Sequence, residues 1–388
     1  MEPLFMLAIV GAVYLLVYLA ARALGIEKLQ EKGVDAGTPF FVMIRTKRLN
    51  EFLTRMGKKF PRAFFNLGVV VAFGGMIYGF WMFLNNFIAF FTAPSQAGAV
   101  VPIIPGVTIT GLPLVYMLIG LAITLVTHEF AHGLASAKDD IGIESSGLLF
   151  FFVLFGAFVE PDEEQFEEEA TPKERMRLLA AGSYSNLIFA FIVLLITLNF
   201  PALMSLGFNQ PSGAYIYEIS ANTPADQALE VGDVITGLND TDIDRWGDIS
   251  QFMIQTEPGD SLTIETLEDN VTIVLGESQA NASKGYIGIY GADYWEPKAG
   301  WDLFLNPMVP FHIQLTLTWS FIILFSVALF NLLPIPALDG DKLLANGLRL
   351  VISDEEKVKM IMWPLRIFSL AIVILSMILT FMSGKTLF

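Results

Sequence analysis

The sequence predicts an α-helical multi-pass membrane protein of about six transmembrane helices, with a re-entrant β-like segment and an inserted soluble α+β/β-barrel domain. Three observations carry this reading. The 388 residues are 54% hydrophobic and include 33 phenylalanines, with a mean hydropathy of +0.58, more apolar than an ordinary soluble domain. The apolar residues gather in runs long enough, at about 1.5 Å per helical residue, to cross a hydrocarbon core of about 30 Å. Between residues 207 and 299 those runs give way to short alternating segments. Cysteine is absent, which rules out disulfides and thiolate metal sites. The formal charge of −16 argues against a nucleic-acid partner.

The first span, residues 3–24, has Glu2 before it and Arg22 near its far end. It therefore reads as an uncleaved anchor with its amino terminus outside. The basic loop 26–62 should be cytoplasmic. The second span, 63–91, leads to an external loop over 92–108, and the third, 112–137, runs inward. The apolar stretch 147–159 is too short to span as a helix, and its glycines and aromatics suit extended structure. It should re-enter against protein or a water-filled cavity, because exposed strand edges do not survive in lipid. An acidic face over 160–169 precedes the fourth span, 178–200. The fifth span, about 310–333, is broken by Pro334 and Pro336, which bring Asp339 to the depth of the third span's inner end. The sixth span is 361–379, entered past Lys342, Arg349, Lys357 and Lys359.

The inner end of the third span reads Thr127-His128-Glu129-Phe130-Ala131-His132. In a helix His128 and His132 lie one turn apart on one face, where two imidazoles can hold one zinc ion, with Glu129 placed to take a proton from water. Two of the chain's three histidines fall here. Ionisable groups at such a depth are costly and mark function. The third ligand is open at this point between Asp339, Glu144 and Glu160, with Asp341 a further alternative. His312, at the outer end of the fifth span, reads as an interfacial residue, and Asn186, inside the fourth span, should face protein.

Segments 214–225, 232–239 and 258–266 resemble a PDZ domain: a strand, a Pro-Ala helix start, a Gly-Asp turn and a Pro-Gly-Asp hairpin. Such domains bind extended peptides by adding a strand to a sheet edge. With this insert in place, the chain resembles the site-2 protease family, intramembrane zinc metalloproteases. The match rests on His128-Glu129-x-x-His132, Gly156-Ala-Phe-Val-Glu160, Ala181-Gly182 with Asn186, and Asn331 followed by Pro334, Pro336 and Leu338-Asp339-Gly340. Ser183, Ala131 and Asp341 depart from the family's usual proline, glycine and glycine.

The resemblance implies one Zn2+ per chain held by His128, His132 and Asp339, with Glu129 catalytic. It implies substrate contacts from Asn331 and Asn186, and an unwound substrate strand laid beside the segment before Glu160. It implies hydrolysis within or near transmembrane segments of membrane-anchored proteins, as in regulated intramembrane proteolysis. The expected organisation is a two-span region (1–110), a first part of the protease core (111–206), the extracytoplasmic PDZ-like domain (207–299) and a second part of the core (300–388). The expected setting is the cell membrane, with the active site near the cytoplasmic side. The expected partners are membrane-anchored substrates, the lipid bilayer and a peptide at the PDZ-like domain. A surface-acting metalloprotease and a PDZ-bearing scaffold with a structural metal are the competing readings; Glu129→Gln separates the enzymes from the scaffold.

Overall fold

A computed structural model of the chain describes residues 3–105, 108–151, 154–278, 281–301 and 305–385. The chain forms two compact units, Met1–Leu194 with Thr316–Phe388, and Leu195–Leu315.

The first unit opens with α1 (Pro3–Leu24) and α2 (Ile26–Glu31). The basic loop is more than a solvated connection. It folds into a hairpin, β1 (Val34–Thr38) and β2 (Phe41–Arg45), followed by the amphipathic helix α3 (Lys47–Lys59). Next come the long helices α4 (Arg62–Thr92) and α5 (Leu112–Lys138). The re-entrant hairpin follows as β3 (Ile143–Phe151) and β4 (Leu154–Pro161); residues 152 and 153 of the expected segment lie outside the described residues. The four strands make one antiparallel sheet in the order β1-β2-β3-β4, with Val42 opposite Phe150 and Leu148 opposite Ala157. A lone hairpin would leave both edges unpaired, which is untenable near lipid. Strand β2 covers the outer edge of β3, and β4 packs against α5. Asn50 of α3 ties the arrangement together, its amide donating to the Ile143 carbonyl at 3.2 Å.

Helix α6 (Pro172–Leu198) starts six residues before the expected span. Thr171 and Glu174 form a reciprocal cap there: the Thr171 amide donates to Glu174 Oε2 at 2.9 Å, and Pro172 occupies the first helical position. Capping, not hydropathy, sets where that helix begins.

The second unit contains α7 (Phe200–Met204), β5 (Ala214–Ile219), β6 (Val234–Leu238), β7 (Thr241–Asp242), α8 (Trp246–Met253), β8 (Ser261–Thr266), β9 (Asn270–Val274), β10 (Gly276–Glu277), β11 (Gly285–Tyr286) and β12 (Ile289–Asp293). Its main sheet is antiparallel in the order β12-β5-β6-β8-β9, with β7 paired to β6. Inward residues Ile216, Ile235, Leu238, Leu262 and Ile264 are fully or almost fully buried and build its core. This is the insert that interrupts the membrane helices, a small sheet and one principal helix around one core.

The chain then forms α9 (Val309–Asn331), α10 (Asp339–Arg349) and α11 (Glu355–Met382). Among the described residues five helices, α4, α5, α6, α9 and α11, are long and apolar enough to cross a membrane. The first expected span is α1, a continuous helix of 22 residues, of which Gly11–Leu24 counts as a shorter apolar helix. Between α9 and α10 the two prolines end the helix, and Ala337 turns the chain at φ +77°. Gly340 makes the turn fit, because a Cβ there would stand 2.1 Å from the Leu332 carbonyl oxygen. α10 thereby starts directly against the end of α9, with Asp339 as its first residue.

Candidate metal centre

Helix α5 carries His128 and His132 on one face, both buried, and the start of α10 brings Asp339 to them. The His128 and His132 Nε2 atoms are 3.0 Å apart. Asp339 Oδ2 lies 3.2 Å from the first and 3.3 Å from the second. This near-equilateral triangle matches a face of a zinc tetrahedron: ligand bonds of about 2.0–2.1 Å place neighbouring donors roughly 3.3 Å apart. Among the described residues these three are the group of side chains placed to share one ion.

The hydrogen bonds behind the rings prepare the same site. His132 Nδ1 faces the Leu178 carbonyl at 2.8 Å, and a carbonyl only accepts, so Nδ1 carries the proton and Nε2 presents a lone pair to the group. His128 Nδ1 faces the Asn186 side-chain amide at 3.3 Å, and that amide also meets Thr127 Oγ1 at 2.8 Å. Thr127 has one hydroxyl proton and the Ile123 carbonyl at 2.8 Å to receive it. As placed, Thr127 Oγ1 donates to Asn186 Oδ1 and Asn186 Nδ2 faces His128 Nδ1; exchanging the amide's oxygen and nitrogen, with the Thr127 proton going to Ile123, satisfies every member and leaves His128 Nε2 with a lone pair. The donor set therefore fits zinc in both geometry and protonation.

Glu129 projects beside the group, its Oε2 accepting the Val159 amide of β4 at 3.2 Å. A cavity of about 710 Å³ reaches the three donors, and Glu129, Glu144, Glu160, Asn331 and Lys342 help line it. Asn331 thus stands at the cavity wall, whereas Asn186 is fully buried behind His128. Glu144 and Glu160 line the cavity but stand outside the donor group, and the Ser145 hydroxyl donates to Glu160. His312 sits at the start of α9, its ring 5.5 Å from Phe311. Asp341 is likewise outside the group: Arg366 of α11 holds both its oxygens, at 2.6 and 2.7 Å.

Three features of the site escaped the sequence reading. Gly182 is more than a small residue for helix packing, since a Cβ there would lie 2.5 Å from His132 Nε2 and 2.6 Å from His128 Nε2. Arg177 bonds Asp139 through two nitrogens at 2.6 and 2.8 Å, locking the end of α5 to the start of α6 and so fixing His132 against Leu178. Arg366 is an arginine within the last apolar run, a signal that could have found its partner in advance.

Residues 116–375 match the model of peptidase family M50. An uncharacterised protein of Methanocaldococcus jannaschii is 30% identical over 314 residues, covering 77% of this chain and 75% of that protein. The zinc metalloprotease RasP of Shouchella clausii is 25% identical over 230 residues, which cover 48% of this chain and 53% of RasP, so the match spans about half of that enzyme. Among solved structures, the PDZ domain of an SdrC-like protein from Listeria monocytogenes shares 21% identity, covers 21% of this chain and 87% of that domain, and has a TM-score of 0.20. The chain belongs to peptidase family M50, the site-2 proteases, and is a membrane protein of that metallopeptidase family.

Proposed function

We propose that the chain is an intramembrane zinc metalloprotease that hydrolyses peptide bonds within or near the membrane segments of anchored proteins. The observation that carries this is the triangle of His128, His132 and Asp339 donors at 3.0–3.3 Å, with Glu129 beside it at the cavity wall. These three residues would hold one zinc ion. Bound there, zinc supplies Lewis-acid polarisation of a peptide carbonyl and acidifies a water to near neutral pH.

The chain's own residues do the rest. Glu129 takes a proton from the attacking water and returns it to the departing amine. Its bond to the Val159 amide holds that carboxylate against β4 and aligns it with the strand. β4 lies at the edge of its sheet, the place for a substrate strand to add once its helix has unwound. Asn331 is placed to bond that strand's backbone. Asn186, behind His128, orients the imidazole in place of touching substrate. With the basic loops on the cytoplasmic side, the cavity would open near that face and the PDZ-like insert would lie outside, where it would bind an extended peptide and filter substrates.

Glu129→Gln in the purified chain, assayed against a single-span substrate, is the deciding experiment. Cleavage should fall at least about a thousandfold while one zinc per chain remains. Retained cleavage would remove Glu129 from the mechanism. An unchanged cellular phenotype would favour a scaffold.

A further inference from the structure

A second cavity lies on the opposite side of α5 from the metal centre. It is an apolar crevice of about 400 Å³ between α3, α4, α5 and α6, within the size range of small-molecule sites. Its aromatic wall is Phe52, Phe60, Phe64 and Phe65, with Phe60 and Phe64 ring centroids 5.3 Å apart. Thr127 and Ser185 are its only polar lining residues. Phe52 is half exposed and Phe189 about 40% exposed, so the crevice is open at its rim.

The rim carries charge. On α3, Arg48, Arg55 and Lys59 fall at i, i+7 and i+11 and form one stripe beside the lining stripe of Phe52, Met56 and Phe60. All three are exposed, and none has a carboxylate within ion-pair distance among the described residues. Their neighbours Lys58 and Arg62 differ, being paired with Asp140 and Asp139. Three unpaired cations on an amphipathic helix, above an apolar slot leading in among membrane-spanning helices, complement a phosphate headgroup with an apolar chain below it.

We propose that this crevice is a specific site for an anionic phospholipid, one acyl chain seated between α3, α5 and α6 and the headgroup held by Arg48, Arg55 and Lys59. The position has a consequence for the metal centre. The crevice floor is made by Thr127 and Ala131 of α5 and by Ala181 and Ser185 of α6. Those are the turns whose other faces carry His128, His132, Gly182 and Asn186. A seated chain therefore props the spacing of the two helices that the imidazoles depend on. The lipid site itself stands whether or not the metal reading does.

The test uses the full chain reconstituted in bilayer discs of equal phosphatidylglycerol and phosphatidylcholine, with retained lipid counted by native mass spectrometry. Each basic residue near an anionic surface is worth about fivefold. Phosphatidylglycerol should accordingly be retained at least about tenfold over phosphatidylcholine, and R48Q/R55Q/K59Q should bring the ratio close to one. S185F, which fills the slot and leaves the cations in place, should also release the lipid. A phosphatidylglycerol with a photoreactive acyl chain should label residues 52–60 and 185–189 in the unmutated protein, which keeps the test decisive if a variant folds poorly. Equal retention of the two lipids, a ratio unmoved by the triple variant, or labelling elsewhere would each overturn the proposal. So would labelling of this crevice by a photoreactive transmembrane substrate peptide that excludes the lipid, since the slot would then belong to substrate.

Discussion

Two carboxylates two residues apart, Asp339 and Asp341, meet opposite fates at the start of α10. Asp341 is 6% exposed and fully satisfied: a guanidinium grips both of its oxygens. Asp339 faces two imidazole nitrogens that, in the protonation pattern set by Leu178 and Asn186, offer it lone pairs and no proton. One pair completes itself within the chain. The other is a set of three acceptors aimed at one point, a poor arrangement until a cation fills it. The contrast teaches how one helix start serves two ends: Asp341 anchors α10 to α11 so that Asp339 can be held where a metal needs it.

Several variants would break or sharpen this contrast. The largest effect is expected from D339N or H128A, each of which should reduce zinc in the detergent-purified protein from one per chain to near none by metal analysis. Zinc kept in D339N but lost in H128A would move the third ligand to Glu144 or Glu160. Almost as large is G182A, whose new methyl would collide with both Nε2 atoms. Zinc content should collapse while the protein remains folded by circular dichroism, and normal zinc loading would refute so close an approach of α6.

R366M addresses the other carboxylate. It strands Asp341 in a partly dry site, so a loss of about 3 kcal/mol in stability is expected, seen as a lowered thermal midpoint. Zinc affinity should drop about tenfold to a hundredfold through the loosened α10. The reversed pair D341R/R366D should recover part of both losses; no recovery would reduce the pair to packing. N186A removes the bonds to His128 and Thr127 and should weaken zinc by about tenfold, with an altered visible spectrum for cobalt bound in its place. A337G is the mildest. It relieves the left-handed turn at φ +77°, worth about 1 kcal/mol of stability, and should leave zinc affinity unchanged.

Much of this was legible in the chain itself. Hydropathy marks the spans because lipid offers the backbone no alternative to a helix. The spacing of His128 and His132 puts both on one face through the period of the helix alone. The prolines at 334 and 336 announce the break that frees Asp339, and the alternation over 207–299 announces a soluble insert. Such features are local: each follows from a handful of neighbouring residues.

What only the tertiary structure decided are the meetings between distant segments. Nothing in the basic loop showed that its β2 would cover the re-entrant hairpin, because strand pairing is fixed by which edges must be sealed. Gly182 read as a residue for close packing, and only the approach of α6 to α5 shows that it makes room for the imidazole nitrogens. Asp341 and Arg366 are 25 residues apart, and their pairing depends on how α10 lies against α11. The sequence determined the helices, the two histidines and the break before Asp339, since these are properties of a chain near itself. Which donors share one point, and what holds them there, the packing of helices alone decided.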